Sequence, residues 1–313
     1  MRIAVIDLGT NTFNLLIVET AGNNSYKILF NNKLPVKLGE GGINKREITE
    51  DAFQRGVDAI GKHSRTISEY RVTAIYAFGT AALRDAQNGE IFIRTIRERY
   101  NIKIELITGD REAELIYLGV KQAVDLDSDK VLILDIGGGS NEFIIANKKQ
   151  IFWKYSYKLG IAKLLDQFKP SDPIGQHEIE KVMHYLDDEL QTLFLAVRAN
   201  KVNTLVGASG SFETFTAMIK ADDENFESET STLPFSTVID IEEFTALHER
   251  LMVSTIEERR MMKGLEPMRI EMIVLSSLFV KFIMDKLAIQ NIIQSNFALK
   301  EGVIYELLYK EQK

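Results

Sequence analysis

The stretch RIAVIDLGTNTFNLLIVE (residues 2–19) decides the fold, because the chain returns to its pattern as KVLILDIGGGSNEFIIAN (residues 130–147). Each copy is an apolar run ending in aspartate, a short turn rich in Gly, Ser, Thr or Asn, and a second apolar run. Short apolar runs bounded by turn residues read as strands, so each copy predicts a β-hairpin. The aspartates, Asp7 and Asp135, stand 128 positions apart. Solenoid periods run about 20–50 residues, so this spacing predicts two related domains. Two hairpin tips facing each other would make a phosphate clamp.

Outward from the first copy, the pattern predicts a strand at 26–36 and a helix at 49–70, with Thr49 as its N-cap. A strand at 72–78, a helix at 90–99, a strand at 102–107 and a helix at 110–124 follow. After the second hairpin come a strand at 151–157 and one long helix at 175–199, whose Ile179, Val182, Met183, Leu186, Leu190 and Leu193 recur at helical spacing. A strand at 204–207, a helix after Gly210, a polar loop at 222–232, more helix to 287, a short strand and a terminal helix at 299–309 complete it. This order predicts α/β sheets covered by helices. The switch between halves falls at 124–128.

The bulk numbers narrow the function. With 313 residues, 45% of them hydrophobic, the chain has material for about two domains. It has no cysteine, which excludes disulfides, thiolate metal sites and Cys nucleophiles and makes the cytoplasm the expected compartment. The N-terminus enters a strand with no signal-like segment. The most apolar stretch, 273–284, is shorter than the roughly 20 residues of a membrane span and carries Lys281. A net charge of −7 argues against a nucleic-acid partner. It leaves a phosphorylated ligand open, because Arg, Lys and Mg²⁺ can reverse the field inside a cleft. The four histidines show no metal-ligand spacing and read as surface residues.

Three segments carry chemistry. In DLGTNT (7–12), Gly9 lets backbone approach a ligand and Thr10, Asn11 and Thr12 add donors; alone this is an ordinary polar turn. In DIGGGSNE (135–142), Gly137, Gly138 and Gly139 exceed what a hairpin needs, which points to backbone lying flat against a ligand beside Ser140. In VGASGSFE (206–213), a strand leads through Gly207, Ser209, Gly210 and Ser211 into a helix whose free N–H groups suit an anion. A capped strand-to-helix connection explains that last segment equally well.

These motifs, with FGTAALRDAQN (78–88), ITGDREAELIYLGV (107–120), GLEPMR (264–269) and SNFALKEGV (295–303), are in order along almost the whole chain. Together they resemble the exopolyphosphatase / guanosine pentaphosphate phosphohydrolase (Ppx/GppA) family. The resemblance implies two ribonuclease H-like domains of the actin, Hsp70 and sugar kinase type, with a cleft between them. It implies the short form, divided into 1–125 with 297–313 and 126–296. By position, Glu112 matches the base that activates water, and Arg84 and Arg269 match arginines on the phosphate chain. Gly9 to Thr12, Gly137 to Ser140, and Gly207 with Ser209 to Ser211 match phosphate loops. Asp135 and Glu142 match carboxylates linked to Mg²⁺, the expected cofactor, and Asp7, which matches the first phosphate loop, sits at a strand end where a carboxylate can hold the same ion. Thr10 and Thr12 stand for the usual serines, Asn141 for Thr, Lys300 for Arg, and Glu271 lies near a common Asp.

The implied function is exopolyphosphatase hydrolysis of a terminal phosphoanhydride. Guanosine pentaphosphate is the alternative substrate, and the sequence does not separate the two. A polyphosphate track would draw on Lys33, Lys37, Lys263, Arg269 and Lys300. A kinase of the same superfamily would need an adenosine motif, which is not evident; a non-catalytic sensor would not need Glu112. No membrane partner is expected, and a homodimer is the default assembly.

Overall fold

The structure, a computed structural model, describes residues 1–21, 24–126, 129–208, 210–222 and 235–310. Its first half contains β1 (Arg2–Leu8), β2 (Thr12–Thr20), β3 (Tyr26–Pro35), α1 (Glu50–Glu69), β4 (Ala74–Gly79), α2 (Ala81–Asp85), α3 (Gly89–Tyr100), β5 (Ile104–Leu106) and α4 (Gly109–Ala123). The second half opens with β6 (Val131–Ile136), β7 (Asn141–Ala146), β8 (Ile151–Tyr157) and α5 (Ile161–Phe168). There follow α6 (Gln176–Glu189), α7 (Gln191–Asn200), β9 (Thr204–Ala208), α8 (Gly210–Asp222), β10 (Ser236–Ile239) and α9 (Ile241–Val253). The chain ends with α10 (Ile256–Met261), α11 (Ile273–Leu287), β11 (Asn291–Ser295) and α12 (Leu299–Lys310).

The strands form two sheets, ordered β3-β2-β1-β4-β5 and β10-β11-β9-β6-β7-β8. In each, a three-stranded antiparallel meander is extended by two parallel strands, β4 and β5 in one and β9 and β11 in the other. The duplication seen in the hairpins therefore extends to whole sheets, and β10 is an added antiparallel edge on the second.

Strand alternation distributes the core. Along β1, Ala4, Ile6 and Leu8 face a cluster with α1 and α3, while Ile3 and Val5 face the opposite way. That second face joins Ile133 and Ile144 of the other sheet through Leu115 and Ile116 of α4 and Val303 and Ile304 of α12. The outer face of the second sheet packs Leu132, Leu134 and Phe143 against α9 and α11. The layers thus run helix, sheet, helix pair, sheet, helix. The C-terminal helix lies on α4, and on that ground we propose the division into 1–125 with 297–313 and 126–296.

Three expectations change. The helix expected at 175–199 is two helices, with Leu190 at φ −100° and ψ 14° between them. Hydrogen bonds from Leu190 N to Leu186 O and from Phe194 N to Leu190 O carry through, so the chain bends without exposing Leu186, Leu190 or Leu193. Thr49 is the N-cap of α1, yet its hydroxyl bonds the Glu40 carbonyl instead of the helix. His63 is buried, not a surface residue, with Nε2 against the Phe13 carbonyl at 3.2 Å, and burial lowers its pKa. The loop expected at 222–232 lies, beyond Asp222, outside the described residues. No described helix is long and apolar enough to cross a membrane.

Candidate active site

Both hairpin tips close in the same way. Gly9 N donates to Thr12 O at 3.0 Å, and Gly137 N donates to Ser140 O at 3.0 Å. Among the described residues the N–H groups of Thr10, Asn11, Gly138 and Gly139 donate to no protein acceptor. Such successive free donors in a turn form an anion nest.

The tips face each other, and the glycines permit the approach. A Cβ at Gly139 would lie 2.8 Å from Thr10 Oγ1 and 2.7 Å from the Ala81 Cβ, and one at Gly138 would lie 2.6 Å from Asn11 Nδ2. The second loop is anchored from behind by α5, whose Ile161 and Ala162 N–H groups bond the Gly137 and Gly138 carbonyls. A Cβ at Gly160 would meet the Gly138 backbone at 2.2 Å. The glycine triplet therefore serves the closeness of the two halves as much as any ligand.

Between the tips is a cavity of about 140 Å³. It is lined by Asp7, Gly9 to Thr12, Glu112, Asp135, Gly137 to Ser140, Glu142, Gly210 and Arg269. Those are expected residues. Lys33, Lys37 and Lys300, candidates for a polyphosphate track, line it too, as do, unforeseen, Asn14, Thr80, Glu213, Met268, Met272 and Asn296. Gly207, Ser211 and Arg84 do not line it. Gly207 sits inside β9, where a Cβ would strike the Phe212 ring at 2.1 Å, so packing requires glycine there. Ser211 is buried and points to Ser276. Ser209 lies outside the described residues.

Each carboxylate has a structural reason for its place. Asp7 and Asp135 are the last residues but one of β1 and β6, and their cross-strand partners are Asn14 and Glu142. Asn14 donates to Asp7 at 2.8 Å, whereas the second copy places a second acid opposite its aspartate. Asn14 precedes Glu142 by the repeat spacing of 128, so aligning the two copies, 2–19 and 130–147, finds it. Glu112 lies in the first turn of α4, behind the Thr108 N-cap, whose hydroxyl accepts from Arg111 N. The start of α4 approaches β8 closely, since a Cβ at Gly109 would lie 2.3 Å from Ser156 Oγ. Ser156 in turn donates to Glu142 at 2.7 Å.

Arg84 ends α2 and gives Nη1 to the Ile107 carbonyl at 2.8 Å and to Glu112 at 3.2 Å. Its Nη1 thus steadies Glu112, and Nε stands 4.0 Å from Asp85. Arg269 does face the cavity; its guanidinium takes the space a Cβ at Gly210 would need, and it pairs with Glu266 at 3.1 Å.

The electrostatics follow from burial. Desolvation and the neighbouring Glu142 push the Glu112 carboxyl well above the usual range, against the pull of Arg84. Desolvation also raises Glu142, opposed by Ser156, Ser140 and Arg84. Asp7 is raised by burial and eased by Lys300 and Asn14. Burial works against the Lys300 charge, but Glu301, Asp7, Glu213 and Asp135 outweigh it and hold the ammonium above the ordinary lysine value.

Five carboxylates and four cations line the cavity, so an anionic ligand needs further positive charge there. Among the described residues no group of three or more His, Cys, Asp or Glu side chains is arranged to hold one ion. The donors are all oxygen, which suits a hard cation taken with one or two carboxylates, water and ligand phosphates. Mg²⁺ held by one or two of Asp7, Asp135 and Glu142, the cross-strand pair Asp135 and Glu142 first, fits that description.

The model of the Ppx/GppA phosphatase family matches residues 16–311. The chain belongs to that family. Its members' crystal structures carry the fold described above, two ribonuclease H-like domains of the actin type. The Cytophaga hutchinsonii exopolyphosphatase shares 37% identity, with 99% of this chain and 98% of that one aligned at a TM-score of 0.93. A bifunctional 3-dehydroquinate synthase/phosphatase of Fusobacterium nucleatum is 30% identical over 311 residues, 97% of this chain and 46% of that protein. The guanosine-5′-triphosphate,3′-diphosphate pyrophosphatase of Photobacterium profundum is 27% identical over 309 residues, 98% of this chain and 59% of that protein. This Ppx/GppA chain therefore spans about half the length of some relatives and nearly all of others.

Proposed function

We propose that this Ppx/GppA phosphatase hydrolyses the terminal phosphoanhydride of inorganic polyphosphate. One observation carries the reading: two loops with unused backbone donors face each other across a small cavity, and a buried, raised carboxylate, Glu112, opens into it. At about 140 Å³ the cavity is smaller than the roughly 300–1,000 Å³ of ordinary ligand pockets. It suits the end of a phosphate chain, with the remainder outside. Likeness to the Cytophaga exopolyphosphatase over nearly the whole chain supports the same substrate.

In this reading the N–H groups of Thr10, Asn11, Gly138 and Gly139, with the hydroxyls of Thr10, Thr12 and Ser140, grip the terminal phosphates. Arg269 and Lys300 offset their charge. Glu112 takes the proton of the attacking water, and its raised pKa makes it a stronger base than an exposed glutamate. Arg84 fixes the carboxylate's direction. Bound Mg²⁺, held by Asp135 and Glu142 with Asp7, would stabilise charge on the transferring group. Positioning and electrostatics supply most of the rate enhancement in phosphoryl transfer generally.

The Photobacterium relative favours a second substrate, the 5′ end of guanosine pentaphosphate, whose terminal bond is the same. Phosphate release from long-chain polyphosphate and from guanosine pentaphosphate, each with Mg²⁺, separates them. The proposal expects a kcat/KM higher for polyphosphate, with phosphate removed one residue at a time from chain ends. Release from guanosine pentaphosphate alone would reverse the assignment, and tight binding without release would make the protein a sensor.

A further inference from the structure

Lys33, on β3, and Lys37, just beyond it, belong to the first half and line the cavity. Neither meets it with an open ammonium group. Lys33 is paired with Glu213 in the first turn of α8, and Lys37 Nζ is 2.8 Å from Glu271, just ahead of α11. Both partners come from the other half of the chain, 180 and 234 residues away. All four side chains are partly exposed. Exposed pairs contribute little net free energy, so such partners exchange readily.

The rim repeats the theme. A groove of about 350 Å³ adjoins the cavity at Asn11, Lys37 and Met272. Its lysines, Lys37 and Lys169, are outnumbered by Glu40, Asp166 and Glu271. A phosphate chain leaving the cavity here crosses no basic track. A phosphate that takes over Lys33 or Lys37 also leaves a displaced carboxylate beside it, and like charges at that range repel.

We propose that Glu213 and Glu271 are specificity-determining residues: counter-anions of Lys33 and Lys37 that weaken binding of every phosphate beyond the gripped end. The inference rests on the phosphate-chain reading above. It deepens that reading by assigning the length discrimination to two carboxylates, with the lysines as the contested cations.

Binding, not turnover, gives the cleanest test, so the measurements use the Glu112→Gln protein with Mg²⁺. Dissociation constants for inorganic tripolyphosphate and for long-chain polyphosphate are compared with those of the same protein carrying Glu213→Gln or Glu271→Gln. Glutamine keeps the shape and a hydrogen bond to lysine while removing the charge. The expected result is about fivefold tighter binding of the long chain per substitution, a gain of about 1 kcal/mol. Tripolyphosphate binding should change less. The gain should vanish in about 1 M salt, where the screening length is near 3 Å. An unchanged ratio between the two ligands overturns the proposal. So does weaker binding of both, which would make the pairs clasps between the halves. Phosphate release by the wild-type protein is scored separately: binding of both ligands without release would sink the hydrolase reading while the ratios still judge Glu213 and Glu271.

Discussion

Arg84 gives Nη1 to the Ile107 carbonyl and to the Glu112 carboxylate and does not line the cavity, which makes it a positioning residue for Glu112 in the proposed reaction. Misplacing a catalytic group by an ångström can cost about a hundredfold in rate. Replacing Arg84 with Met should therefore lower kcat by about ten- to a hundredfold and leave KM near its wild-type value, read from steady-state phosphate release. A raised KM at unchanged kcat would put Arg84 on the phosphate chain instead. The residue type was legible in the sequence and the contact was not, because Arg84 and Glu112 are 28 residues apart and belong to different helices. Asn14 was legible through the repeat, since it stands where Glu142 stands in the second copy. Gly207 shows the opposite failure: a glycine in a loop-like motif serves the Phe212 ring and not a ligand.

At the scale of elements, α4 and α12 bring Glu112 and Lys300, far apart in the chain, to one site. They cross at glycines: a Cβ at Gly302 would lie 1.8 Å from the Leu115 carbonyl oxygen, and one at Gly119 would lie 1.9 Å from the Ala298 carbonyl oxygen. Backbone on both sides leaves no flexible side chain to yield. Gly302→Ala should destabilise the fold by about 1–3 kcal/mol, the usual range for overpacking, visible as a lower melting temperature. Turnover should fall as well, because α4 carries Glu112 and α12 carries Lys300. An unchanged melting temperature would show that the helices part without cost. Most strands and helices were legible from periodicity and caps; the four-residue edge strand β10, where more helix was expected, and the five-residue α2 were too short to show a period. The bend at Leu190 was not, because no Gly or Pro marks it and its neighbours stay buried. The eight-residue helix α5 was too short to show a period, yet its N-terminus fixes the glycine loop.

The whole molecule is a duplication whose halves have diverged where they meet. The first tip presents Thr10, Asn11 and Thr12 with Asp7 hydrogen-bonded by Asn14; the second presents glycines with Asp135 opposite Glu142. Two hairpins and their glycines announced the cleft in the sequence. Pairings across it, Lys33 with Glu213 and Lys37 with Glu271, joined residues too distant for any pattern to link. The proposed reaction makes Glu112 the base that activates water, and the kinetics of Glu112→Gln on tripolyphosphate with Mg²⁺ test this most directly. The substitution should cut kcat by about 10²–10⁴, the usual contribution of a general base, while KM stays within about threefold of wild type. Wild-type turnover by the Gln protein would remove Glu112 from the reaction and contradict the account.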